Sequence, residues 1–466
     1  MRQDSMLDEL QSLISRSRGA VYVEARYHTR TVSEVSFVNG LLERVRVVET
    51  AGCGIRTLVD GCWGFSSTNN IGELKESLDR AISMARVLAG SKKHKVAGLA
   101  ESKMVQGRFE PSVRGRLADV GIEDKVRVTK EAEAAARRHS KIIKSASATY
   151  RDMIDYKAIV NSDGARVEIT DSKPEFSVVA IAKSGGQSVT ANEGIGITGG
   201  WDDLFQKSHL DFAHIAADKA QKLVTARHAT GEKTTIILDP GMVGLLCHEA
   251  IGHTVEADFV LSGSVVKDRI GQKVASELVT LVDSGQSEIA GNAAGTIGID
   301  DEGVRAGRTA VIENGVLKSF LHNRESALEF GVESTGNARA FTYSDEPLIR
   351  MRNTYIEPGS DKLDDMIKET RHGYLVKGAR NGQADANGEF MFGAQEAYLI
   401  ENGKVKDLMR GASISGNAFD ALLSVDMVGD KFEYDIGTGY CGKYQLAKVD
   451  GGGPHVRCTA IIGGMQ

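Results

Sequence analysis

An α+β fold in two domains is the architecture this chain predicts. Three observations carry that expectation. Alternation of apolar and polar residues, the mark of half-buried strands, runs through both halves; helical spacing recurs between those runs mainly in the first half; and beyond the turn-like Ala229-Thr230-Gly231 the pattern becomes glycine-rich and punctuated by hairpin signals. The first domain is expected over residues 1–230 as an antiparallel sheet with helices, with a split into two subdomains near 91–121. The second, 231–466, is expected to be mainly antiparallel β and to carry one chemically loaded helix.

At 466 residues, the chain exceeds one ordinary domain. Hydrophobic residues at 41% and charged residues at 26% describe a globular protein with enough apolar material for large cores. The net charge of −6 gives no reason to expect nucleic acid or an anionic membrane as a partner. No window approaches the roughly 18 consecutive apolar residues of a membrane span. The start is amphipathic and acidic where a signal peptide would be apolar, and five cysteines without framework spacing suit a reducing compartment, so a cytoplasmic location is expected. The 52 glycines against 6 prolines imply many tight turns and close backbone approaches.

Taken in order, Leu7, Leu10, Leu13 and Ile14 have helical spacing. Strands are expected at 20–26, 31–38 and 41–48, the last two joined by Asn39-Gly40, a pair suited to a type I′ turn. A further strand at 52–59 leads to an expected turn at Gly61-Cys62-Trp63-Gly64-Phe65. Leu74, Leu78, Ile82 and Ala85 then mark a helix that stops near Gly90. An irregular connection, 91–110, precedes a charged helix at 123–139. Strands follow at 142–150, 156–160 and 165–170, two more lie across 175–197, and a helix at 208–227 closes the half. In the second half Glu313-Asn314-Gly315 and Glu401-Asn402-Gly403 read as hairpins, and 361–370 as the one clear helix.

The stretch with chemistry is His248-Glu249-Ala250-Ile251-Gly252-His253. Imidazole nitrogens suit zinc, a third ligand would leave a position for water, and a carboxylate beside the first ligand could take that water's proton. The familiar zinc-protease helix spaces its histidines four apart; these are five apart. On a regular helix that is a rotation of roughly 500°, which turns the rings about 140° away from each other. A π-type turn would bring them back to one side, with Gly252 the place where distortion is best tolerated. The flanks support a packed helix: Thr234-Thr235-Ile236-Ile237-Leu238 reads as a buried strand, and Asp239-Pro240 as an N-cap followed by proline at the first helical position. Two residues offer themselves as the third ligand, Glu256 one helical step past His253, and the distant Cys441 between flexible neighbours. Cys247 and Cys458 read as core, and Cys53 and Cys62 lie in the other domain. Gly185-Gly186 and Gly451-Gly452-Gly453 lack the phosphate-loop pattern.

The run from Leu238-Asp239-Pro240 through His253-Thr254-Val255-Glu256-Ala257-Asp258 closely resembles the metal-bearing segment of the TldD/PmbA (TldD/TldE) peptidase family. The likeness continues through Ser334-Thr335-Gly336-Asn337-Ala338-Arg339-Ala340, Arg350-Met351-Arg352-Asn353-Thr354 and Cys441-Gly442-Lys443-Tyr444-Gln445. The catalytic subunit of that family has H-E-x-x-x-H, and its pseudo-catalytic partner lacks it. The resemblance implies a zinc peptidase with one Zn2+ per chain, held by His248, His253 and Cys441, with Glu249 as general base and Glu256 orienting a histidine. It further implies a dimer, with itself or with a paralogous TldE/PmbA-type subunit, that encloses the site and admits unfolded or short peptides. Arg339 and Asn353 have two readings, ordinary turn residues or groups near the substrate channel that contact peptide carbonyls. Two competing functions stay open: a non-catalytic peptide-binding or assembly subunit with a structural metal, and a zinc amidohydrolase of small molecules.

Overall fold

Long hairpins build the first half of the chain. The computed structural model describes residues 3–17, 19–91, 95–286 and 288–464. Strand β1 (Tyr22–Val38) turns at Asn39 and Gly40, with φ of 51° and 83°, into β2 (Leu41–Val59), so the pair expected to form the turn does so. The four short strands expected here are two long ones. His28 and Arg30 interrupt the apolar pattern, yet both are buried and both reach Asp155 on the neighbouring strand, at 3.1 and 2.7 Å, so β1 runs on through them. The same correction applies to β5 (Ile143–Asn161), whose polar middle is held by Asp155 and by Asp152, 2.5 Å from Lys125. Residues 61–65, expected as a turn, begin strand β3 (Cys62–Thr68); the turn is one residue earlier, at Asp60 and Gly61 with φ of 48° and 76°.

With β4 (Gln106–Phe109) and β6 (Arg166–Ser184) the sheet order is β3-β2-β1-β5-β6-β4, and β7 (Gln187–Gly196) pairs with β6. All these pairings are antiparallel except β4 with β6. Helices α1 (Gln3–Ser15) and α2 (Leu74–Ser91) bury Leu10, Leu13, Leu78 and Ile82 against Val23 and Ile55 of the sheet. At the other end α3 (Ile122–Arg138), α4 (Trp201–Leu204) and α5 (His209–Leu223) cover Tyr150 and Phe176.

The second half is mainly antiparallel. In an eight-stranded sheet Glu232–Leu238 lies between His372–Ala384, to which it is parallel, and Val456–Gly464, to which it is antiparallel. A six-stranded sheet contains Leu281–Ser284, Asn353–Ile356 and Asp450–Gly453. The chemically loaded helix belongs to a buried apolar cluster that draws Leu246 and Ile251 together with Leu281 and Ile356 of one sheet and Val376 and Phe392 of the other. The helix expected at 361–370 is Leu363–Glu369, and the structure adds Arg324–Phe330 and Ala418–Leu423, too short to show a periodic stripe. Among the described residues no helix is long and apolar enough to cross a membrane.

One buried node ties the loops of this half together. Asp283, fully buried, accepts from Arg352 Nε at 2.7 Å and the Arg352 amide at 2.8 Å, from Asn337 Nδ2 at 2.9 Å and from Thr354 Oγ1 at 3.1 Å. Removing one partner of such a pair strands the other charge away from water. Asp283→Ala is therefore expected to destabilise the second half by about 3–5 kcal/mol, read as a shift in the midpoint of urea unfolding; a shift under 1 kcal/mol would contradict this role for the node.

Candidate metal centre

The centre begins at a strand-to-helix junction. Asp239 leaves the strand Glu232–Leu238 with extended backbone and accepts from the Met242 amide at 2.9 Å, with Pro240 first in the helix. The α-helix lasts only for Pro240–Leu245. A π-helical segment, Leu246–Gly252, follows and then a 3₁₀ turn, His253–Val255. The π segment resolves the five-residue spacing, and both rings lie on one side, their centroids 5.2 Å apart and their planes at 81°. Gly252 keeps an ordinary helical φ of −55°. Its role is space: a Cβ there would meet Met351 Sδ at 1.9 Å.

Cys441 arrives from the hairpin Tyr440–Lys443/Gln445–Lys448, 188 residues from His253, and its Sγ lies 3.3 Å from His253 Nε2. The ligand atoms of His248, His253 and Cys441 all lie within 4.8 Å of one another. Glu256, fully buried, sits 2.9 Å from His253 Nδ1, which leaves Nε2 turned toward Cys441. Glu249 is 30% exposed, and its carboxylate is 3.9 Å from His253 Nε2.

The hairpin that delivers the thiol is held by cations from the motif run before it. Arg350 donates to the carbonyls of Cys441 and Gln445, each at 2.7 Å. Arg339 donates to those of Met351 and Lys448 at 2.5 and 2.7 Å. Lys443 Nζ donates to the Ile349 carbonyl at 3.0 Å and lies 3.3 Å from Glu256 and 2.7 Å from Asp258. Asn353 is buried with its amide on the Ser284 carbonyl at 2.9 Å. Arg339 and Asn353 thus spend their donors on carbonyls of their own chain, outside the two cavities that meet at the metal-ligand cluster. Arg350 and Lys443 are the positioning residues that sequence reasoning missed; both stand in the quoted motif runs, and no spacing rule marks them.

The donor set suits a metal. Both ring nitrogens of His248 are buried without a hydrogen-bond partner, a costly arrangement that coordination would relieve. Burial pushes the Cys441 thiol up, but the imidazoles, His248 foremost, outweigh it and bring the thiol down to about 4. Burial pushes His253 down, and hydrogen bonds to Cys441 and Glu256 reverse that and raise it to about 10. Two nitrogens and a sulfur, with a nearby carboxylate left free, are a donor set that could hold a metal ion such as zinc with one position open.

Two cavities meet here, and Glu249 lines both. One, about 500 Å³, is walled by His248 and Cys441, by Lys377, Arg380 and Asp435, and by Asn192 of β7. The other, about 420 Å³, is walled by His253, Phe259, Lys443, Tyr444 and Ala386.

Comparison with known proteins places this geometry. Residues 23–89, 115–224 and 230–462 match, in turn, PmbA/TldA metallopeptidase domain 1, the central domain and the C-terminal domain. A metalloprotease of Methanothermobacter thermautotrophicus is 34% identical over 95% of each chain. The zinc metalloprotease TldD homolog of Saccharolobus solfataricus is 28% identical over 96% of this chain and 97% of its own. The same fold is seen in a putative modulator of a DNA gyrase from Thermotoga maritima (TM-score 0.81, 22% identity, 98% and 99% covered) and in TldE from Thermococcus kodakarensis (TM-score 0.78, 20% identity, 99% of each).

Two outcomes test the centre. Without metal the Cys441–His253 pair holds one proton between about pH 4 and 10, and that proton must leave when both become ligands. The pair's contribution to zinc affinity should therefore rise about tenfold per pH unit across this window, read by calorimetry in buffers of different ionisation enthalpy; affinity independent of pH would contradict the pair. Glu256→Gln should weaken zinc binding about 10–100-fold, read by competition with a chromogenic chelator.

Proposed function

The chain belongs to the PmbA/TldD (PmbA/TldA) metallopeptidase family, and from that premise we propose that it is a zinc-dependent peptidase acting on unfolded or short peptides, with one ion per chain on His248, His253 and Cys441. The observation that carries the proposal is Glu249, a partly exposed carboxylate beside the ligand cluster and facing both cavities. A purely structural metal site has no use for it. Zinc, when bound, supplies Lewis acidity for a water and for the scissile carbonyl. Glu249 then takes the proton from the attacking water and passes it to the leaving amine. Glu256 holds the orientation of His253, and Arg350 holds the strand that carries Cys441.

The backbone offers a place for an extended substrate. The strand His372–Ala384 is flanked on one side by Glu389–Glu401, and on the other by Glu232–Leu238 only from Gly373 to Val376. Where that neighbour turns into the helix that carries His248, the Gly378 amide is taken by Asp239 at 2.8 Å, and the edge of the strand beyond it has no partner strand among the described residues. This stretch lines the larger cavity at Ala379 and Arg380 and the smaller one at Ala384. A peptide added along it would be gripped by main-chain hydrogen bonds, with little regard to sequence.

The same proposal includes a dimer, with itself or with a TldE/PmbA-type subunit. In support, residues 41–50 of β2 lie beyond the reach of β3, which pairs only from Cys53 onward, and leave Leu41 and Val47 73% and 59% exposed on an open edge. Glu249→Gln tests the central claim. Peptide cleavage should fall at least 10³-fold, on the scale of general-base catalysis with its proton transfer removed, while zinc measured on the same sample stays near one per chain. Surviving cleavage would remove Glu249 as the base, and a metal-loaded native protein that cuts no peptide would favour a binding subunit.

A further inference from the structure

The two cavities beside the metal ligands differ in chemistry. The larger presents Lys377, Arg380, Glu433 and Asp435. The smaller also contains charged residues, but its lysine is fully engaged and one oxygen of its aspartate is taken. Lys443 Nζ is taken by Asp258, Glu256 and the Ile349 carbonyl. Asp385 accepts from the amides of Asn387 and Glu389 at 2.9 and 3.0 Å, closing its own hairpin tip. Thr254, Ser262 and Ser264 spend their hydroxyls on backbone carbonyls, so beyond Glu249, His253 and the outer oxygen of Asp385 what the side chains of this cavity offer a ligand is two aromatic rings and the methyls of Ala384 and Ala386.

Both rings are left open to water. Phe259 is fixed, edge-on to His253 with centroids 6.2 Å apart and with the Lys443 ammonium 4.4 Å over its face, yet it remains 37% exposed. Tyr444 is 97% exposed at the tip of the Cys441 hairpin, with a φ of 59° that is unusual for a bulky residue. An aromatic ring left open to water beside a catalytic carboxylate gains most by being covered when a ligand enters.

We propose that this cavity is a subsite for one large apolar or aromatic substrate side chain next to the scissile bond, gripped between Phe259 and Tyr444. The inference rests on the peptidase reading and deepens it. The unpaired strand edge fixes the path of the peptide without regard to sequence, and this subsite adds side-chain selection on one side of the cut. On the other side the charged cavity accepts polar residues.

The test uses metal-loaded native protein and a random-sequence peptide pool, with cut sites mapped by mass spectrometry. Phe, Tyr, Trp, Leu or Met should be enriched at one position flanking the cut. For a matched pair of peptides with Phe or Gly there, Tyr444→Ser should cost the Phe peptide about tenfold in kcat/KM and change the Gly peptide far less, with zinc content unchanged and Tyr444→Phe restoring the preference. In a Glu249→Gln background, which binds without cutting, the Phe peptide should bind more tightly than the Gly peptide, and adding Phe259→Ala or Tyr444→Ser should shrink that difference. Cleavage without preference, or a preference that neither substitution moves, overturns the subsite and leaves the peptidase reading standing. No cleavage by the native protein overturns both.

Discussion

The constraint on which this molecule turns is that two imidazoles five residues apart are brought to one side of their helix, centroids 5.2 Å apart. A regular α-helix sends them about 140° apart, so the helix has to widen between them, and it widens where the surroundings hold it. Leu246, Cys247, Ala250 and Ile251 are buried in the core shared by two sheets. Burial of Leu246 and Ile251 at about 1.5–3 kcal/mol each offsets what one irregular turn loses in hydrogen-bond geometry. Gly244 meets the backbone of Gly451, and Gly252 meets Met351, at distances that leave no room for a Cβ. The distorted turn is thus clamped from both flanks, by Gly451 of the strand Asp450–Gly453 and by Met351, which belongs to the motif runs that bear the rest of the site.

Those runs work through main-chain carbonyls. Arg350, Arg339 and Lys443 together hold five carbonyls of the segment 349–351 and of the Cys441 hairpin. A guanidinium donates in a fixed fork, so each arginine fixes an orientation as well as a distance. A thiolate reached across 188 residues of chain needs such fastening, because a hairpin of four-residue strands would not hold its position on pairing alone. Lys443 also joins the two ligand sources: it approaches Glu256, which orients His253, while standing two residues from Cys441. The ligand geometry is therefore one connected network of buried donors and acceptors.

Much of this was legible in the residues. The strand into the metal helix, the Asp239-Pro240 cap, the hairpins at Asn39, Asn314 and Asn402 and the need for a π turn all follow from local rules, because each depends on near neighbours. Long strands were misread as short ones for a physical reason. Alternation signals a strand only where the inner face is apolar, and β1 and β5 bury His28, Arg30, Asp152 and Asp155 against each other or Lys125. From the residues alone Cys441 and Glu256 stood level as the third ligand. Nothing in a linear sequence says that a hairpin near residue 441 folds onto a helix near 250. Arg350 escaped notice because a charged residue beside another arginine reads as solvated surface until its burial is seen.

The site's place at the border of the two halves explains its access. Gly196, at the end of β7, packs against Gly437 so closely that a Cβ on either would strike the other's carbonyl oxygen, at 2.1 and 2.2 Å. The Asn192 amide makes a second tie across the border, donating to Gln395 Oε1 at 2.9 Å. The first half thereby closes one wall of the larger cavity and leaves the smaller to be walled by the second half alone. Shifting the halves would reshape the charged cavity and spare the aromatic one. Of the two, the aromatic cavity is the one whose walls join the network that holds the Cys441 hairpin, since the Lys443 ammonium lies 4.4 Å over the Phe259 ring and Tyr444 follows Lys443 in the chain. The aromatic wall and the hairpin that carries Cys441 are therefore built on one scaffold, and a change in either registers in the other.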